Sequence, residues 1–338
     1  MEEISKDRVR LSASEAQTLA EQTLHRIGYD LAQARIIADH VMDAALCGYE
    51  YSGLPKILNV AEHAQLKQPR RALRVIRESA VSALLDGGNN NGMFAMHYAT
   101  ELAIKKARES GMATVGVNNS WVSGRSAHYV EKVARAGLVG IHSVSSRIHV
   151  SAPGSVEAAT GTNPIAFGFP TNDEPLLIDM GASAFMGTDL IFQERRGALL
   201  PDGVAMDKDG VITRDPARVK TILPFGGYKG FALALAMQAL GVLAGSGLGE
   251  DGTYGYLIMA IDPERMLPLG DFKKQMSQML SKVKSVKRQD GVDEIRLPGE
   301  RGLRERARLL KEGIVIDKNI YESLLAIEPR ELPPYEVV

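Results

Sequence analysis

From residue 81 onward, apolar runs of five to seven residues alternate with amphipathic stretches of helical length, and that alternation restricts the chain to α/β architectures. Extended segments are expected at residues 81–85, 113–117, 138–144, 165–169, 176–180 and 256–261. Helices are expected at 93–110, 126–136, from Tyr228 onward, and at 271–286, 300–311 and 318–325. Ahead of this pattern lies a different one. Ser12 and Glu15 have capping-box spacing, the apolar face continues through Leu19, Leu24 and Ile27, and Gly28 stops it. Asp30 opens a second helix that runs toward Gly48, so the N-terminal region reads as an antiparallel helical pair. Residues 194–215, rich in Gly, Asp and Pro, read as a loop or lid, and residues 231–244 as a buried helix.

With 338 residues the chain exceeds one compact core of ordinary size. Forty basic against forty-one acidic residues leave no net field for nucleic acid or an anionic membrane, and the basic run 282–288 reads as a solvated face. Cys47 is the single cysteine, which excludes an internal disulfide or a cysteine metal site and points to a reducing, cytoplasmic setting. Its place at the end of an apolar helix pattern suits a buried thiol. Residues 1–10 are charged, without the apolar stretch of a signal sequence, and no window reaches the length of a membrane span. No clustered His and carboxylate spacing suggests a metal.

The usual dinucleotide fingerprint, Gly-x-Gly-x-x-Gly between a strand and a helix, is absent. Gly87-Gly88-Asn89-Asn90-Asn91-Gly92 follows a strand, but the spacing is wrong and a phosphate cradle there is the weaker of two readings. Four other segments carry more. They are Gly161-Thr162-Asn163-Pro164-Ile165-Ala166-Phe167, Ile178-Asp179-Met180-Gly181-Ala182-Ser183, Leu223-Pro224-Phe225-Gly226-Gly227-Tyr228-Lys229-Gly230 and Leu297-Pro298-Gly299-Glu300-Arg301. In this order and at these separations the chain resembles the malate/L-lactate dehydrogenase family, which includes ureidoglycolate, sulfolactate and diketogulonate enzymes and cyclic imino acid reductases.

That resemblance implies an α/β, non-Rossmann fold with an N-terminal helical region and a mixed sheet. It implies a substrate and dimerisation domain from residues 1–118 and 300–338, and a cofactor domain from 119–299. It also implies a homodimer and a bound NAD(P)H, with NAD and NADP unresolved. Cofactor contacts are expected at Ser120, Ser146, Thr162, Asn163, Asp179, Met180, Gly181, Ala182, Ser183, Tyr228, Lys229, Gly299, Glu300 and Arg301. Hydroxyls, glycine amides and a lysine at a helix start are groups that can hold a pyrophosphate and a carboxamide. Asp179 ends an apolar strand, where a carboxylate needs a partner, and is expected to orient the proton-transfer group or the nicotinamide amide.

Carbonyl reduction also needs a proton donor, a cation for the substrate carboxylate and a wall for the carbonyl. Here the sequence departs from the family. Ser52 stands where the histidine of a Ser-His-Gly motif is expected, Lys56 replaces an arginine, and Val122 replaces a second histidine in Asn119-Ser120-Trp121-Val122-Ser123-Gly124-Arg125. Tyr51, with its phenol lowered by Lys56, and Ser52 acting through water become the expected donors. His128 and His149 are candidates by residue type, His149 on the substrate side. Lys56 or Arg125 is expected on the carboxylate, and Trp121 as an aromatic wall. The expected reaction is hydride transfer between NAD(P)H and a small 2-oxo or 2-hydroxy acid. Reduction of a cyclic imino acid and a catalytically silent nucleotide-binding paralogue are the alternatives.

Overall fold

A computed structural model describes residues 7–246, 252–333 and 335–336. The chain opens with β1 (Arg8–Leu11), α1 (Ala13–Ile27), α2 (Leu31–Leu46) and α3 (Pro55–Glu62), then β2 (Arg70–Arg71) and β3 (Arg74–Glu78). β4 (Ser82–Asn91), α4 (Gly92–Ser110), β5 (Met112–Trp121), α5 (Ser126–Arg135) and β6 (Val139–Ser145) follow. Then come β7 (Val150–Ser151), β8 (Ala158–Thr160), β9 (Ile165–Phe169), β10 (Leu176–Met180) and α6 (Gly187–Arg195). β11 (Ala205–Met206), β12 (Thr221–Ile222), α7 (Tyr228–Leu243), β13 (Tyr254–Ile261) and α8 (Leu269–Lys284) lead to the closing α9 (Glu300–Glu312), β14 (Ile314–Asp317), α10 (Lys318–Leu325) and β15 (Tyr335–Glu336).

Local chemistry sets the first helices as their sequences indicate. The Ser12 hydroxyl accepts the Glu15 amide while Glu15 accepts the Ser12 amide, and Gly28 ends α1 in a left-handed conformation. Asp30 caps α2 by accepting from the Gln33 amide. The pair packs on α3, on α10 and on the short sheet β1–β14, giving a first core that includes Leu24, Ile37, Val41, Leu54, Ile57, Ile316 and Leu324. The two ends of the chain therefore share one core.

The main sheet has seven strands in the order β10-β9-β6-β13-β5-β4-β3. β4 and β5 are parallel and joined by α4, a crossover unit; every other neighbouring pair is antiparallel, with β13 inserted between β5 and β6. That insertion makes the sheet mixed and distinguishes it from a doubly wound nucleotide fold. The expected domain boundary at 118/119 falls inside β5, whose hydrogen-bonded neighbours lie on both sides of that cut. A second sheet, β11-β12-β7-β8, has its own core of Val150, Leu190, Leu200 and Ile222 and takes only β11 from the stretch read as a loop or lid, which is otherwise mostly irregular. Two-residue strands carry too little periodicity to be seen in sequence.

Helix α7 corrects an expectation. Only Gly230, Ala234, Met237 and Gly241 are buried, whereas Leu235, Val242 and Leu243 are 49%, 53% and 69% exposed. The packed side lies so close to β6 and β13 that a Cβ on Gly241 would stand 2.1 Å from Ser145 Oγ. The opposite side is apolar and faces outward because no described element of this chain covers it. Among the described residues no helix is long and apolar enough to cross a membrane.

Two histidines are sealed inside. His40 is 1% exposed and His142 0%; burial holds His40 well below the ordinary imidazole range and lowers His142 to about 3. Both are therefore neutral at neutral pH when folded, while the unfolded chain takes up protons near pH 6.5. Because the folded value lies below the unfolded one, their contribution to stability is complete above about pH 7 and is lost as pH falls through 6.5. At pH 5 the sealed His142 ring should cost about 2 kcal/mol. Denaturant unfolding between pH 7 and 5 should show this decline, and His142→Phe should flatten it; a stability constant over that range would contradict the assignment.

Candidate active site

A 3-10 turn at Glu50–Ser52 follows α2, and Pro55 at the first position of α3 restarts the helix immediately. Helix α6 packs on that turn, and Arg195 anchors it to α3 by donating to Asn59 Oδ1 at 3.2 Å and to Glu62 at 2.5 and 3.0 Å. The turn, α6 and the end of β10 thus bring Asp179 and Asp189 toward Tyr51, and Lys56 follows in the first turn of α3.

Lys56 is 3% exposed and, among the described residues, makes no hydrogen bond or ion pair. Burial without a counter-charge lowers its ammonium to about 8. Tyr51 behaves oppositely to expectation. Burial pushes its phenol well up, and the carboxylates of Asp179 and Asp189 push it further, so Lys56 does not draw it toward a phenolate. Ser52, 5% exposed, lies beneath it in the same turn.

Asp179 is open to the cleft yet enclosed by the protein's mass, and that enclosure raises its carboxyl above the ordinary value. Its Oδ2 accepts the Ala127 amide at 2.8 Å, so it caps α5, whose own N-terminus lacks a side-chain cap. Asp189 in the first turn of α6 is raised by partial burial and accepts from Gln193 at 2.9 Å.

The segment after β5 differs from the expected wall and clamp. Trp121 is fully buried, donates its indole N–H to the Asn89 carbonyl at 3.0 Å and stacks on His63 with centroids 4.5 Å apart; it is a packing residue. Val122 has φ 54°, an outlying conformation for a β-branched residue. Arg125 is already committed: its guanidinium donates to Asp43 at 2.6 Å and lies 5.3 Å from the Tyr49 ring centre, and its amide donates to His40 Nε2 at 2.8 Å. Arg125 is thus paired inside the protein through one guanidinium nitrogen rather than standing as an unpaired cation. Asp43 also accepts from Arg306 at 2.5 Å, and His128 Nδ1 stands 3.5 Å from it. His128 is engaged with the network beneath α5 rather than the turn carrying Tyr51.

The expected cofactor residues divide into structural and open groups. Ser120 is fully buried and donates to the Asn90 carbonyl at 2.7 Å. Asn163 is also fully buried, accepting the Ser146 amide and donating to Ala234 O at 2.9 Å and Gln238 at 3.0 Å. Neither side chain is free to touch a cofactor: Asn163 instead ties the Gly161–Asn163 turn to α7. Ser146 and Thr162 are partly accessible, with hydroxyls 3.3 Å apart. The Ala182 amide donates to Thr162 O at 2.8 Å, its carbonyl accepts from Phe225 at 2.9 Å, and the Ser183 hydroxyl turns inward to Phe185 O at 2.7 Å. Met180 is 42% exposed, and Gly181 borders Met186 so closely that a Cβ would lie 2.6 Å from its sulfur.

Those contacts bring the 179–183 segment against the start of α7, where Gly226 and Gly227 have φ 57° and 63° and open space before them. No side chain caps α7, and Tyr228 and Lys229 in its first turn are exposed. Gly299 precedes α9 with φ 80°; Glu300 is bound to Lys284 and Arg304, and the Arg301 guanidinium lies 4.8 Å from the Tyr49 ring centre. Glu300 also borders a cavity of about 600 Å³ between α8, α9 and β10, separate from Tyr51 and Lys56. The Gly87–Gly92 stretch is no phosphate cradle. It is the end of β4 and the start of α4, with Asn90 and Asn91 buried and Asn89 and Asn90 donating to backbone carbonyls.

His149 sits against α6, its imidazole lowered by burial and by Arg147. Sequence reasoning passed over Asp189, Arg147 and the Asp43 network. Arg147 is exposed, makes no ion pair among the described residues, and lies near enough to help lower His63 and His149 and to offset part of the burial that raises Tyr254. Asp189 lies in a helix whose sequence has little amphipathic pattern, and Asp43 reads as an ordinary helix acid until α5 and α9 are folded against it.

Comparison with known proteins gives the same architecture a lineage. The sulfolactate dehydrogenase of Methanocaldococcus jannaschii is 32% identical, over 94% of this chain and 96% of its own. A Δ1-pyrroline-2-carboxylate/Δ1-piperideine-2-carboxylate reductase of Pseudomonas syringae pv. tomato is 33% identical, over 75% of this chain and 77% of its own. The solved malate dehydrogenase of Pyrococcus horikoshii OT3 superposes with a TM-score of 0.88 at 27% identity, covering 97% of both chains. A model of malate/L-lactate dehydrogenase matches residues 11–325. The chain is an oxidoreductase, and it belongs to the malate/L-lactate dehydrogenase family.

Proposed function

We propose that this enzyme moves a hydride between NAD(P)H and a small 2-oxo acid, in equilibrium with its 2-hydroxy acid. The observation that carries this reading is Lys56, a buried cation without a counter-charge among the described residues, on the helix that follows the Tyr51 turn in a family that works on small acids. An anionic oxo acid supplies the missing charge at low desolvation cost. Arg147 offers an open cation for the carboxylate.

The residues present suit a nicotinamide dinucleotide. The uncapped amides of α7, the open left-handed backbone at Gly226 and Gly227, and Lys229 make a positive cradle for a pyrophosphate. Ser146, Thr162 and the 179–183 segment border it from the sheet side. When bound, the cofactor supplies or receives the hydride; the protein binds, orients and handles the proton. Asp179 holds the start of α5, and with it the segment carrying Val122, in place.

One observation favours a second reading. Asp179 and Asp189 both face Tyr51, and such a pair suits a substrate that carries positive charge at neutral pH, as a protonated cyclic imine does. The exposed apolar face of α7 supports a homodimer, with a second copy of this chain covering Leu235, Val242 and Leu243. The lone buried Cys47 supports a reducing, cytoplasmic setting.

Absorbance of NADH or NADPH over a panel of pyruvate, oxaloacetate and piperideine-2-carboxylate should show faster consumption with a 2-oxo acid. A preference for the imine would favour the second reading, and binding without oxidation of any compound would mean a silent paralogue. Lys229→Ala should weaken NAD(P)H binding about tenfold in a fluorescence titration with little change in unfolding midpoint, as loss of one charged contact requires. Light scattering at micromolar concentration should give twice the 36.6 kDa chain mass, and Val242→Asp should reduce it toward one. A monomeric wild type would leave the α7 face without its proposed partner.

A further inference from the structure

Neither imidazole expected of this family is present, so the proton that completes carbonyl reduction must come from another group. We infer that Lys56 delivers it, its ammonium hydrogen-bonding the carbonyl oxygen of the substrate. This rests on the 2-oxo acid reading above and assigns the lysine a part that its alignment with an arginine conceals.

The geometry narrows the choice. Lys56 occupies the first turn of α3 directly after Pro55, where the amide dipoles make a positive charge costly and favour release of a proton. Its side chain is sealed except for a small accessible remainder, and the nitrogen keeps contact with solvent, being absent from the fully buried, unpartnered polar atoms among the described residues. His40 of α2 is the titratable group on a neighbouring element that feels the Lys56 charge, and His40 is neutral. From the other elements packed on α3, namely α1, α10 and the turns at Glu50–Ser52 and Ala64–Lys67, no described carboxylate reaches ion-pair distance. The ammonium therefore has no internal acceptor to compete with a substrate oxygen.

The other groups are occupied or too weakly acidic. His40 Nε2 accepts the Arg125 amide, which leaves no lone pair for proton exchange there. His63 is stacked on Trp121 and lowered to about 4 by burial and Arg147, so it is almost wholly deprotonated at pH 7. His142 is fully buried, and Asp179 Oδ2 is engaged as the cap of α5. Tyr51 is held protonated by burial and two carboxylates, a weaker acid than a free phenol, and Ser52 is weaker still. An ammonium with a value of about 8 is protonated at neutrality and sits close to the best value for general acid catalysis there.

The step balances. The carbonyl carbon takes a hydride from reduced nicotinamide as the C=O π bond opens, and the oxygen takes a proton from Lys56 Nζ. The products are the 2-hydroxy acid, oxidised nicotinamide and a neutral amine that water reprotonates. In the oxidative direction the neutral amine takes the hydroxyl proton.

Lys56→Arg separates this role from a carboxylate clamp, because arginine keeps the charge and cannot give up a proton near neutrality. Reduction by the wild-type enzyme should lose kcat/KM as pH rises through about 8. Lys56→Arg should lose about 100-fold or more in kcat with KM within about threefold, and that limb should disappear. Lys56→Ala, if folded by thermal melt, should be partly rescued by methylamine. In the cofactor-free enzyme, acetylation of Lys56 followed by mass spectrometry should titrate well below the exposed lysines. Near-normal turnover of Lys56→Arg with the limb intact would overturn the assignment and make Lys56 a clamp. A wild type inert toward every 2-oxo acid would overturn the substrate reading and this inference together.

Discussion

Asp43 is the joint on which the active-site side of this protein depends. One carboxylate on α2 receives Arg125 from the segment after β5, Arg306 from α9 and the nearby ring of His128 on α5. Burial alone would raise such a carboxylate; the surrounding cations instead hold it below the ordinary range. Arg306 continues to Glu131 and Glu131 to Arg135, so the N-terminal helices, the main sheet's helix α5 and the C-terminal helix α9 are tied by one charge network. Removing a partner from such a network leaves a buried charge uncompensated, which costs about 3–5 kcal/mol, far more than any surface pair contributes.

That network has a chemical consequence in the cleft. It pairs Arg125, a cation that the residue order offers for substrate, whereas Lys56 and Arg147 have no ion pair among the described residues. On the other side Asp179 and Asp189 bring negative charge toward Tyr51, which becomes a firmly protonated phenol. Negative charge thus gathers around Tyr51 from the end of β10 and the start of α6, while Arg147 stands beside His63, His149 and Tyr254. Asp179 also satisfies the amides of α5, so its charge serves the fold and the site at once.

Binding groups are placed by close backbone approach as much as by side chains. Gly241 and Gly255 let α7 lie directly on the sheet, and Asn163 then bridges from its turn to the Ala234 carbonyl and Gln238. The open amides at the start of α7 are consequently fixed beside the 179–183 segment, joined through Ala182, Phe225 and the Ser183–Pro224 bridge. The same helix presents Leu235, Val242 and Leu243 outward, joining the cofactor cradle to the face through which a second copy is proposed to pack.

Residue order alone determined the elements governed by local chemistry. The caps at Ser12 and Asp30 follow from side chains bonding to backbone a few residues away, the stop at Gly28 from a left-handed backbone that glycine adopts freely, and the edges of β9 and β10 from flanking Pro164, Pro170, Pro175 and Gly181. The order of the Asp179, Tyr228–Lys229 and Gly299 segments likewise carried the family. Tertiary structure decided what depends on neighbours distant in sequence. It inserted β13 between β5 and β6, sealed Trp121 against His63, committed Arg125 to Asp43 and turned Ser120 and Asn163 into internal ties. It also reversed the expected influence on Tyr51 and left Lys56 without a partner among the described residues. A side chain's charge state is set by desolvation and by charges that fold against it, and the linear spacing of Tyr51 and Lys56 contains neither.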